Sequence, residues 1–115
     1  MVLEIFHNPS CSKSRGAMEI LAERGVDADV IEYLKAPPTQ AELERIVDVI
    51  DVSPAELVRK DKRFKELGLR ASDYETRDQV VALLAAHPEL MERPVVIMGD
   101  RGVIARPPEK LLELL

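Results

Sequence analysis

Tryptophan is absent from this chain of 115 residues, and only two Phe and two Tyr are present. So few aromatic side chains cannot build the base-stacking platform that single-stranded nucleic acids require. Cysteine occurs once. No internal disulfide can form, and any thiol chemistry has to be completed by an outside partner. No apolar run approaches the ~18 residues of a membrane span. The opening "MVLEIFHNPS" lacks the cationic start and the apolar length of a signal peptide. A cytoplasmic protein with no membrane attachment is expected. A concentrated charge of one sign is also missing: 16 Lys and Arg are scattered among 21 Asp and Glu, for a net charge of −5. Without a basic stripe, nucleic acid is not an expected ligand, and no metal site is read from the sequence.

What remains is enough for one modest core. The chain is 46% hydrophobic, within the usual size of one domain, and a monomer is expected. "VLEIF" (Val2 to Phe6) alternates like a strand, and Asn8-Pro9-Ser10 ends it in a turn. From Ser12 to Arg24, Ala17, Ile20 and Leu21 fall at helical spacing, with Gly25 as a stop. "DADVIEYL" offers a second strand at the distance that a parallel crossover requires. Three helix starts follow, each opening with a capping box: Thr39 with Glu42, Ser53 with Glu56 and Thr76 with Gln79. "PVVIMG", the turn Gly99 to Gly102 and "VIA" form a hairpin, and Pro107 to Leu115 forms a closing helix. The expected fold class is α/β: a βαβ unit, a helical insertion over about 39–87, a β-hairpin and a C-terminal helix, all in one domain spanning 1–115.

The lone cysteine lies in "HNPSCSKSR". Taken alone, a single thiol in a reducing compartment is most often a small buried apolar residue. Cys11, however, follows a strand and opens a helix, where unpaired N–H groups and the positive end of the helix dipole stabilise a thiolate and can also hold an oxyanion. Ser12, Lys13, Ser14 and Arg15 surround it in sequence. His7, at the end of the strand, has two readings: a partner for the thiolate, as cation or base, or an ordinary hydrogen-bonded histidine. Ser14 stands where a C-x-x-C motif would carry its second cysteine, so a self-contained dithiol oxidoreductase is excluded.

An oxyanion also needs fixed cations with fork geometry, which means arginine. Arg59 lies near the end of the helix that opens at Pro54. Arg93 and Arg106 each precede a proline, which biases them to extended backbone beside a strand. Each also has an ordinary reading as a solvated charge, Arg59 most of all because it opens "RKDKRFKE". Spacing does not separate these three from the other arginines.

From first strand to last helix the chain resembles the glutaredoxin-coupled arsenate reductases, a branch of the thioredoxin-like superfamily. The resemblance is carried by "HNPSCSKSR", "EYLKAPPT", "ELVRKDKRFKELGL", "HPELMERPVVI" and "GVIARPPEKLLELL". It implies a thioredoxin-like fold with a cis peptide before Pro94. It also implies covalent capture of arsenate, or a similar oxyanion, by Cys11, with glutathione as thiol co-substrate, glutaredoxin as reductant and no bound cofactor. It assigns oxyanion binding to Arg59, Arg93 and Arg106, thiolate stabilisation to His7 and a supporting role to Ser14. Ser12-Lys13 depart from the Gly-Thr common after the cysteine in reductases of the resistance operons, and Lys13 adds positive charge there. Two alternatives stay open: a glutathione-dependent thiol reductase, and a non-catalytic regulatory protein of the same superfamily.

Overall fold

Alternation decides which face each strand covers. In a computed structural model describing residues 2–115, strand β1 (Leu3–His7) buries Leu3 and Ile5 on one side of a four-stranded sheet and Phe6 on the other. Its neighbours are β2 (Ala28–Glu32), parallel, and β3 (Val95–Met98), antiparallel; β4 (Arg101–Ile104) completes the order β2-β1-β3-β4. Leu3, Ile5 and Val96 pack with Ala17 and Leu21 of helix α1 (Ser12–Glu23) and with Leu111 and Leu114 of a 3₁₀ helix, Pro108–Leu114. Phe6, Val95 and Ile97 face the opposite way, onto helices α2 (Gln40–Val49) and α4 (Arg77–Ala86).

Two of the three predicted capping boxes are present, at Thr39/Glu42 and Thr76/Gln79. The Ser53 box is not. Ser53 makes no cap bond, its hydroxyl meets the Glu56 carboxylate at 3.4 Å, and the segment that follows is a single 3₁₀ turn, Pro54–Leu57. Arg59 therefore lies on an extended stretch beyond that turn instead of near the end of a helix. The closing helix is 3₁₀, with two prolines at its start, and the hairpin turn is shorter than predicted: only Gly99 and Asp100 lie between the strands. Gly99 has φ 65°, the left-handed backbone that a two-residue hairpin turn requires. Helix α3 (Lys62–Glu66) is capped by Asp61, whose carboxylate accepts from the Phe64 N–H. Among the described residues no helix is long and apolar enough to cross a membrane.

Topology then gathers the chemistry at one end. Parallel pairing sets His7 opposite Glu32, so β1 and β2 finish together. β3 starts, and β4 ends, at that same end, with Val95 facing both Phe6 and Ile104. Everything that follows β1, β2 and β4 or precedes β3 meets there, beyond the carboxyl ends of the parallel strands, where open α/β sheets bind ligands.

Candidate active site

Cys11 is the residue from which α1 springs. Its backbone is extended (φ −96°, ψ 125°), its N–H donates to the Asn8 carbonyl at 3.0 Å and its carbonyl accepts from Arg15 N–H at 3.0 Å. Cys11 is thus the N-cap residue of α1; its side chain makes no cap hydrogen bond, and the sulfur lies beside the unpaired N–H groups of the first turn. No acidic residue lies in that turn to compete for them. Partial burial pushes the thiol pKa up. The N–H of Ser14, the guanidinium of Arg93 and the N–H of Lys13 together outweigh it, and the pKa falls from 9.0 to about 7. Arg106 adds the one defined side-chain contact to the sulfur, Nη1 to Sγ at 3.8 Å, the long end of hydrogen-bond range.

The arginines are delivered from three places. Arg93 and Arg106 each precede a cis proline, Pro94 and Pro107. Arg106 Nη1 also donates to the Arg93 carbonyl at 3.0 Å, and its Nε lies 3.5 Å from Glu92. Arg59 is brought to this side by a short antiparallel bridge between Val58 and Met91, in which Arg59 N–H donates to the Leu90 carbonyl and Glu92 N–H to that of Leu57. Its Nε pairs with Asp61 at 3.0 Å, and none of its hydrogen bonds reaches Cys11. Arg93, by contrast, has no carboxylate partner among the described residues.

His7 continues the Leu3 and Ile5 face of β1 and so points at α1. Its Nδ1 meets the Ser14 hydroxyl at 2.6 Å, and that hydroxyl also accepts the Asn8 N–H at 3.0 Å; His7, Asn8 and Ser14 are all buried. Burial lowers the His7 pKa, Glu32 opposes the change and Arg15 adds to it, so the ring is neutral at pH 7. Its hydrogen-bond partner is Ser14, not the sulfur, and whatever His7 contributes to Cys11 passes through Ser14. The side chains of Ser12 and Lys13 are exposed and make no described hydrogen bond; it is the Lys13 backbone that acts on Cys11.

Two neighbours escape a reading by spacing. Asn8 ties the turn together, its Oδ1 accepting from Ser10 N–H at 3.0 Å. Tyr33, one residue beyond β2, is wholly buried on the Phe6 side of the sheet, beneath this pole. Parity with Ile31, and its place where β2 ends beside β1, were the available signals.

This chain matches the ArsC family model over residues 6–114. It is 40% identical to an arsenate reductase of Neisseria meningitidis serogroup A, over 98% of this chain and 97% of that protein. With an arsenate reductase of Escherichia coli K12 the identity is 37%, over 98% of this chain and 80% of that one. The solved structure of an arsenate reductase from Vibrio cholerae aligns with TM-score 0.89 and 36% identity, covering 100% of this chain and 98% of the other. The α/β, thioredoxin-like fold expected from the sequence is the fold found.

Proposed function

Because the chain belongs to the ArsC family, we propose that it reduces arsenate to arsenite through a covalent adduct on Cys11, resolved by glutathione and glutaredoxin. The observation that carries this reading is the thiol at the start of α1: one cysteine with pKa about 7, beside the first-turn N–H groups and near Arg93 and Arg106. A thiolate is the nucleophile, and the same N–H groups and guanidiniums suit the negative charge on the oxygens of the oxyanion it attacks.

Cys11 sulfur bonds arsenic and one arsenate oxygen leaves as water, with no change of oxidation state. The glutathione thiol replaces a second oxygen, again as water. Glutaredoxin thiolate then attacks the glutathione sulfur; a disulfide forms between them and the electron pair of the broken sulfur–arsenic bond stays on arsenic, which becomes As(III). Hydrolysis of the remaining Cys11–arsenic bond releases arsenite and the thiol. The dependence on two outside thiols is supported by the presence of only one cysteine in the chain. Arg93, Arg106 and Arg59 hold the oxyanion, Ser14 and His7 support the first turn of α1, and Ser12 and Lys13 contribute their backbone.

Purified protein with arsenate, glutathione and glutaredoxin should yield arsenite at a rate that vanishes in Cys11→Ser. No arsenite from the native protein under those conditions would refute the reading.

A further inference from the structure

Among the described residues, two buried side-chain polar atoms lack a hydrogen-bond partner: the Tyr33 hydroxyl and Nε of Arg93. Buried polar groups are almost always paired, because an orphan loses water and gains nothing in return. These two are complementary, since a guanidinium Nε–H only donates and a phenolic oxygen accepts. They also share one place. Tyr33 is fully buried against Phe6 and its neighbours. Burial raises its pKa, so it is a neutral phenol; Arg93 is the strongest of the charges acting on its hydroxyl, and Cys11 follows. Asn8 approaches that hydroxyl without completing a hydrogen bond. Arg93 is at the same time the one of the three candidate arginines that no carboxylate holds among the described residues.

We propose that Tyr33 is a positioning residue for oxyanion capture: as Arg93 turns onto the oxyanion, its Nε–H is accepted by the Tyr33 hydroxyl, which fixes the guanidinium plane beneath Cys11 and leaves both Nη groups for the ligand. The inference rests on the arsenate reading above. It makes the free protein hold two unpaired groups that ligand binding brings together, so the hydroxyl strengthens anion binding while contributing nothing to the stability of the empty fold.

Tyr33→Phe removes the oxygen and keeps the ring. The free variant should melt no lower than the wild type, because the deleted group has no partner. The arsenate concentration that half-protects Cys11 from a neutral disulfide reagent should rise by at least about tenfold, the lower end for a lost hydrogen bond to a charged group. KM for arsenate should rise with it, with kcat within about twofold. In an Arg93→Lys background, which has no Nε–H, Tyr33→Phe should add nothing. In wild-type protein with ¹⁵N-labelled arginine, arsenate should shift the Arg93 Nε–H resonance. An unchanged protection concentration in Tyr33→Phe, an effect fully additive with Arg93→Lys, or a stationary Arg93 signal in an arsenate-protected wild type would each overturn the proposal. Failure of arsenate to protect wild-type Cys11 at all would instead strike the arsenate reading on which it stands.

Discussion

The ionisation of Cys11 carries a numerical prediction that needs no substrate. At pH 7 a thiol with pKa about 7 is half thiolate, where one at the reference 9.0 is only ~1% ionised, a gain of roughly 50-fold in reactive species. Nucleophilicity falls as pKa falls; with a Brønsted slope of ~0.4–0.5, two units cost roughly six- to tenfold in intrinsic reactivity. Cys11 should therefore outpace a free thiol by about five- to eightfold at pH 7 and lag behind it by about six- to tenfold at pH 10. The assay is the second-order rate of reaction with an uncharged dipyridyl disulfide across pH 5 to 10, which reads Cys11 alone because there is no other cysteine. Arg93→Ala removes the guanidinium whose charge helps to lower the thiol pKa, and its midpoint should move up by about one unit. Stability follows the same titration. The native pKa is depressed, so the unfolded thiol binds more protons between pH 7 and 9, and the wild type gains on Cys11→Ser as pH rises through that window. The full two-unit gap corresponds to about 3 kcal/mol; Cys11 is partly exposed, and screening reduces the expected gain to about 1 kcal/mol. A wild-type midpoint at 8.5 to 9, with no crossover against a free thiol, would refute the electrostatic account of the helix start and of Arg93.

Ser14→Ala should cost about 1–3 kcal/mol, because it leaves the buried Asn8 N–H and His7 Nδ1 without their shared partner; a lowered urea midpoint at unchanged m-value checks it, and a midpoint shift of only a few tenths of a kcal/mol would show that water replaces the hydroxyl. Gly102→Ala would set a methyl 2.9 Å from Val49 Cγ2 and 3.3 Å from Ile97 Cγ1 between β4 and α2. Overpacking of this kind costs about 1–3 kcal/mol, so the melting temperature should drop by roughly 4–12 °C, whereas an unchanged melt would mean that Val49 swings aside freely.

Most of the fold was legible because it rests on periodicity and caps. The strand formers in "VLEIF" and "PVVIMG" mark the two strands, and the structure covers both on each face, with Leu3 and Val96 on one side and Phe6 and Val95 on the other. The Thr39 and Thr76 boxes succeed where Ser53 fails for a local reason. After Pro54 the chain has to leave its first turn at once so that Val58 can bridge Met91, and tertiary pairing overrides a good cap. That same bridge explains why Arg59 was legible as a residue and illegible as a location: its side chain is carried by a pairing with residues more than thirty positions away. The role of His7 was half visible. Its closeness to Cys11 in sequence suggested direct contact, whereas strand parity, which points it at Ser14, is the stronger constraint. Parity with Ile31 places Tyr33 on the Phe6 side of the sheet, but nothing in "EYLKAPPT" marks that its hydroxyl ends unpaired near the thiol at the start of α1.

The pairing of the arginines ranks them. Arg59 is held by Asp61 and Arg106 by Glu92 and the Arg93 carbonyl, so both guanidiniums are fixed before any ligand arrives and little side-chain freedom is lost when one binds. That fixation has a counterpart: an incoming oxyanion meets carboxylates already occupying part of each fork, and the field it gains from these two is partly cancelled. Arg93 carries no such neighbour, and its charge is the one that acts on both Cys11 and Tyr33. Of the three candidate arginines, Arg93 is therefore the one whose charge no carboxylate offsets among the described residues. Loss of Arg93 should weaken anion capture more than loss of Arg59 or Arg106, even though Arg106 is the residue seen touching the sulfur.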